Sequence, residues 1–290
     1  MQFPEVGEPI SVYSGPALVN GSPDALNLWL PLWSGDTRIR WSAAAGVEDL
    51  AEARVEFDHP EFGTCVVEAF VYDTAGFGLV SSTVIGDSRA LVASVELRWT
   101  NLPWLGAHAR TEDHLTVIEA AGWRLGITPV EPFSDRRREV RRSGMPVYLS
   151  HDSQLARSDG GLFSSDDARD ALHAFQLGLS FALGRFVAPV TPTGHVDGRA
   201  RWMLTPAWRC DQGLADEGII FSLIGADLAA VVGGVADELL GNDYEHLRYL
   251  VMHAVTAHGG AGVETRLTTA QSGLEYYAYS YLVGGGHLSQ

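Results

Sequence analysis

The residues of this chain with the greatest chemical potential are scattered, and each set needs a geometry that its spacing only partly provides. Gly178-Leu179-Ser180-Phe181-Ala182 imitates the G-x-S-x-G elbow with alanine in the last place. An elbow needs a strand, a sharp turn and then a helix, with the serine at the turn. Ser180 instead follows helical residues, so an interior helix serine is the preferred reading. Arg185 comes directly after Gly184, where a cation gains from the negative end of a helix dipole; ligand binding is its alternative role. The run Asp135 to Arg142 holds Arg136, Arg137, Arg138, Arg141 and Arg142 against an acidic background. These arginines are candidates for contacting phosphate or RNA, and a solvated loop or charged edge hairpin is the plainer reading. Arg248 and His253 fit a relaxed R-x4–6-H pattern, in which arginine holds a scissile phosphate and histidine moves a proton. Five residues on a straight helix turn the two side chains about 140° apart, so a helix break or a dimer axis would have to unite them.

Other chemistries are excluded by residue type. All 20 basic residues are arginine, so the chain has no Walker-A lysine, no Schiff-base lysine and no Ser-Lys dyad. His246 and His253 share a helix face but stand about 10 Å apart along its axis, too far for one zinc ion. There is no H-E-x-x-H, and neither a metal nor a cofactor is expected. Cys65 and Cys210 are too few for a zinc site or a disulfide framework and read as ordinary buried thiols. A net charge of −16 opposes general attraction to nucleic acid or anionic lipid.

Two hydrophobic rhythms organise the elements that must position these groups. Up to about residue 150 the period is two: Leu26, Leu28, Leu30 and Leu32; Ile39 and Trp41; Val55 and Phe57; Leu91, Ala93, Val95, Leu97 and Trp99; Trp123, Leu125 and Ile127. Alternation of this kind predicts half-buried strands, with turns at "NGSPD", "WSGD", "DTAGFG" and "IGDS". From Ser164 the period becomes helical. Ser164 caps, Asp166 and Asp167 complement the first turn, Ala168, Ala171, Leu172, Phe175 and Leu179 form the face, and Gly184 ends the helix. Phe186–Val190 and Arg199–Leu204 read as strands around "TGHVDG". Helices are expected from Ile219 onward, including Tyr244–His258 and a 3–4 spaced stripe from Val263 through Leu267, Ala270, Leu274, Tyr277, Ala278, Tyr281 and Leu282.

The expected class is therefore α+β: an antiparallel, β-sandwich-like N-terminal region followed by an α-helical bundle or layer. Residues 1–214 form the β-rich domain with one inserted helix over about 164–184, and residues 215–290 the helical region. "GIIFSLIGADLAAVVGGVA" carries Asp227 and internal glycines and reads as a buried helix, not a membrane span. The N-terminus lacks a basic and apolar leader, so a cytoplasmic protein is expected.

The phrases "GWRLGI", "LARSDGGLFSSDDARDALHAFQLGLSFALGRFVAPVTPTGHVDGRARWMLTPAW" and "ETRLTTAQSGLEYYAYSYLV", spread over roughly residues 122–283, resemble a group of actinobacterial proteins. That group is similar to ApeA-type, HEPN-associated defence proteins. The resemblance implies a β-rich region followed by helices. It also implies a nuclease motif beginning Arg-Asn after the phrase matching "AQSGLEYYAYSYLV"; none is met in the residues that follow here, so no catalytic residue is carried over. The leading expectation is a non-catalytic sensing or interaction module. Its partner would be another protein or a second copy, met through the C-terminal helices. A HEPN-like, metal-independent ribonuclease using Arg248 and His253 is one alternative; a structural or assembly protein is another. Nucleic acid is a weaker partner expectation, and a membrane is not expected.

Overall fold

The computed structural model describes residues 8–31, 38–41, 52–71, 77–103, 105, 115–132, 134–135, 138–139, 142, 147–205, 208, 210–211, 226–241, 244–258 and 263–284. Two antiparallel sheets occupy the N-terminal part, and helices gather at the C-terminal end, an α+β architecture. Strands β1 (Ile10–Val19), β2 (Ser22–Leu30), β3 (Arg38–Trp41), β4 (Glu52–His59), β5 (Gly63–Val71) and β6 (Phe77–Val80) close into a barrel of order β1-β2-β3-β6-β5-β4. The first sheet thus closes on itself, so each of its strands has a neighbour on both sides, with β1 and β4 joined over Ala17–Val19 and Val55–Phe57. Its tightest corner is Asn20-Gly21, with both residues at positive φ, 48° and 80°, and Val19 facing Ser22. Both conformations are those of a two-residue hairpin that continues the strand twist, hence asparagine and glycine. Leu26, Leu28, Val55 and Phe57 fill the interior in the predicted alternation, joined by Val19, Val67 and Ala69. Leu32 lies outside the described residues.

The second sheet has seven strands: β7 (Val84–Gly86), β8 (Ser94–Thr100), β9 (Thr116–Ala120), β10 (Trp123–Pro129), β11 (Leu149–Arg157), β12 (Pro189–Val196) and β13 (Arg199–Leu204). Its order is β7-β13-β12-β8-β11-β10-β9. Asp197-Gly198 turns β12 into β13 with both φ values positive; of the turn expected over "TGHVDG" only these two residues remain, because Thr193–Val196 is part of β12 and pairs with β8 and β13. Ile85 and Met203 belong to the barrel's apolar cluster, so the edge of this sheet is sewn to the barrel. The expected alternation in β8 holds for Val95, Leu97 and Trp99 but fails at Leu91 and Ala93, which are exposed. Val92 takes the buried place because it bridges to Phe163 before the strand proper begins, and that shifts the register.

One face of the second sheet carries Val95, Leu97, Trp99, Trp123, Leu125, Ile127 and Leu155 into a core shared with helices α1 (Ser165–Leu183), α2 (Ala226–Gly241) and α3 (Tyr244–His258). Helix α1 starts and stops as its sequence dictates. Ser164 and Asp167 form a reciprocal capping box, and Gly184 adopts the left-handed conformation at φ 65°. Small residues set the spacing. A Cβ on Gly178 would lie 2.8 Å from the Val232 carbonyl oxygen, and one on Gly233 2.8 Å from that of Glu119. Helix α2 therefore wedges between α1 and strand β9. Helix α4 (Val263–Tyr279), continued by a π-helical turn to Gly284, follows α3. Residues 218–225 of the predicted buried helix lie outside the described residues.

Candidate functional site

The connector after α1 explains both Ser180 and Arg185. The expected strand at Phe186 begins only at Pro189: Arg185–Val187 is tied to the end of α1, to Asp211 and to side chains, and only at Ala188 does the backbone first meet β8, accepting from Thr100 N–H at 3.1 Å. Val187 N–H donates to Ser180 Oγ at 3.2 Å, and Gln176 Nε2 donates to Val187 O at 2.9 Å. Phe186 N–H donates to Asp211 Oδ2 at 2.9 Å, and Ala188 N–H reaches Thr100 Oγ1 at 3.3 Å. Polar side chains from α1, from the end of β8 and from Asp211 thus help to satisfy a buried, irregular backbone. Arg185 is buried and donates from Nη2 to the Asn101 carbonyl oxygen at 2.9 Å. Asn101, in the left-handed region at φ 56°, also clips Tyr148 N–H and the Asp211 carbonyl. Cys210 sits 3.0 Å from Thr100 Oγ1, and burial pushes its thiol up to about 11. At neutral pH it is a thiol and a poor nucleophile. Cys65 is free as well, and burial raises it too.

Arg248 and His253 both lie on α3 but serve different neighbours. Arg248 pairs with Glu245 at 3.6 Å, and it lies near enough to His173 of α1 to help burial lower that imidazole's pKa. His253 packs on α4, where a Cβ added to Gly273 would meet the His253 Cβ at 3.0 Å. Arg54 and His59 also have the R-x4–6-H spacing, but they fall on strand β4, where Arg54 bonds Glu56 and the His59 ring stacks on Phe62. In the arginine run, Asp135, Arg138, Glu139 and Arg142 are helical and exposed, and Arg138 pairs with Asp135 one turn away. The edge-hairpin reading is therefore replaced by an exposed helical stretch at these positions. Arg136, Arg137 and Arg141 lie outside the described residues.

Two surfaces that residue spacing alone does not reveal stand out. The face of the seven-stranded sheet opposite the helices is polar and lines an open groove of about 840 Å³. Cross-strand register sets its rows: Gly126, Gln154, Glu96 and Thr193 lie side by side, and Thr128, Asp152 and Arg98 form the next row. Arg98 Nε approaches Asp152 Oδ1 at 3.3 Å, and His195 Nε2 lies 3.8 Å from Glu96 Oε2. Acid and base alternate here, so the groove presents hydrogen bonds of both signs. The alternation in β8 gave Glu96 and Arg98 a solvent face; the partners from β11 and β12 were set by sheet order, which no local pattern encodes.

The second surface is α4. Of residues 264–279 only Gly273 is buried. The helix meets α3 along Thr269, Gly273 and Tyr276, and Tyr276 bonds the His246 ring and packs at 5.8 Å against Tyr249. Its 3–4 stripe points away: Leu267 and Leu274 are 67% and 70% exposed, Tyr277 and Tyr281 54% and 56%. Among the described residues, no group of three or more acids, histidines and cysteines could hold a metal ion, and no helix is long and apolar enough to cross a membrane.

Taken as a class, this is an α+β protein in which a closed barrel precedes a helix-backed antiparallel sheet. Residues 87–214 match the family model of the YopA central domain. The matched stretch begins just after β7 and holds β8–β13 and α1, leaving the barrel strands and α2–α4 outside it. No curated protein and no solved structure shows a detectable match to the chain.

Proposed function

We propose that the chain is a non-catalytic sensing and interaction module of a bacterial protein, with the defence role that its resemblance to ApeA-type, HEPN-associated proteins implies. The observation that carries this reading is the outward-facing apolar stripe of α4. Exposed leucines and tyrosines in 3–4 register are costly to leave in water and mark a contact surface. The reading also draws support from Arg248 and His253, which attend to α1 and α4 respectively instead of converging on one point. On this reading the C-terminal helices make the contact, and the sheet with its barrel presents them.

The test is incubation of the purified 290-residue chain with labelled tRNA and mRNA in the presence of a chelator. Intact RNA is the expected result. Cleavage that persists in the chelator and disappears in His253→Ala would make the chain a ribonuclease and overturn the proposal.

A further inference from the structure

We infer that the occupant of the α4 face is a second copy of this chain, laid antiparallel along the first; this rests on the interaction-module reading. The spacing identifies the kind of partner. Leu267, Ala270, Leu274, Tyr277 and Tyr281 follow one another at intervals of 3, 4, 3 and 4, the repeat of a coiled-coil seam, so the surface suits another helix lying alongside. Continuing α-helical geometry brings Leu267, Leu274 and Tyr277 onto one side, and Tyr281 in the following turn stacks on Tyr277 with ring centroids 6.2 Å apart.

Size and charge point to self-pairing. The four large exposed side chains present on the order of 500 Å² of mainly apolar surface, at the upper end for a monomer's largest patch and most of the roughly 800 Å² per partner of a standard interface. The chain as a whole carries −16, which would drive copies apart over most of their surface. Residues 267–282 contain a single charged residue, Glu275, so two copies can meet here with little repulsion.

Packing selects the direction. In an antiparallel pair, residues of the two seam positions face each other: Leu274 lies across from Ala270 of the second copy, and Leu267 across from its Tyr277. The layers then differ less in volume than those of a parallel pair, which close packing favours. A parallel pair would stack Tyr277 on Tyr277 and leave a void where Ala270 meets Ala270. Antiparallel helices also oppose their dipoles favourably.

Sedimentation equilibrium of the full chain tests this, with the expected mass twice the 31.3 kDa of one copy. Leu274→Asp, and separately Leu267→Asp, should return the monomer with an unchanged circular-dichroism spectrum, because both sites are exposed within one copy. For direction, differently tagged Ala270→Cys and Leu274→Cys chains are mixed and oxidised, with the unsubstituted chain as control for Cys65 and Cys210. A disulfide between the two tagged forms is expected. Disulfide formation confined to Ala270→Cys homodimers would overturn the antiparallel register. A dimer untouched by either aspartate, or a monomer at the highest soluble concentration, would overturn the second-copy occupant. Failure of the module reading shows elsewhere, as RNA cleavage lost in His253→Ala.

Discussion

Helices α1 and α4 are of similar length, 19 and 17 residues, and both carry apolar residues at helical spacing, yet their surroundings are opposite. Thirteen residues of α1 are buried, including the polar Gln176 and Ser180, because the sheet, α2 and α3 close around it. In α4 the same kind of stripe faces outward, and the contact with α3 runs through threonine, glycine and tyrosine. Amphipathicity says that a helix has a face to bury; it does not say what arrives to bury it. The small residues decide the matter here. Gly178 lets α1 and α2 approach until their backbones touch, whereas Gly273 lets α4 settle on α3 by its less apolar side, leaving the leucines outside.

The contrast can be pressed hardest at Phe175, fully buried at the centre of the α1 core. Phe175→Ala should cost about 3–5 kcal/mol in urea unfolding, the usual loss for emptying a large core site. A loss below about 1 kcal/mol would mean that α1 is not the keystone described, since even an ordinary surface change rarely exceeds half that.

The same interior sharpens the comparison through pH. His151 on β11 is fully buried, and burial lowers its pKa from 6.5 to about 3. The unfolded chain therefore takes up this proton before the folded chain does. The stability it contributes is complete above pH 6.5 and declines as the pH falls toward about 3, by up to about 1.4 kcal/mol per pH unit. Unfolding curves across this window should slope accordingly, and His151→Gln should flatten the dependence. An equal slope in the variant would place the titrating group elsewhere.

The smallest effect is expected on α4. Leu274→Ser, measured at a concentration where the chain is monomeric, should change stability by no more than about 0.5 kcal/mol, because the side chain gives up few contacts within one copy. A loss of core-like size would erase the contrast between the two helices.

Much of the fold was legible in local pattern. The limits of α3 coincide with the segment Tyr244–His258 read from its stripe, and the Ser164 cap and Gly184 stop of α1 were visible in residue type alone. So were the hairpins at Asn20-Gly21 and Asp197-Gly198, because a two-residue turn names the residues that tolerate positive φ. The candidate sites were less legible. Arg185 read as a cation favoured by the helix C-terminus or as a ligand holder; the bond it makes, to the Asn101 carbonyl 84 residues away in sequence, was not visible in either reading. Ser180 looked like an interior helix serine, which it is. The backbone it supports belongs to a connector that the apolar run Phe186–Val190 disguised as strand. Glu96 and Arg98 had an evident solvent face, while the rows they form, Glu96 with Gln154 and Thr193 and Arg98 with Asp152, required knowing which strands are neighbours.

Local chemistry, then, determined where α1 and α3 begin and end, which residues turn the tight hairpins, and which faces of most strands and helices are apolar, since caps, turns and periodicity act over a few residues. Tertiary structure decided that the first sheet closes into a barrel and that the second lays its polar face into a groove. It also decided that α1 is enclosed while α4 stays bare. Those outcomes depend on contacts between residues far apart in the chain, where shape and volume complementarity select among partners that a local pattern leaves equivalent.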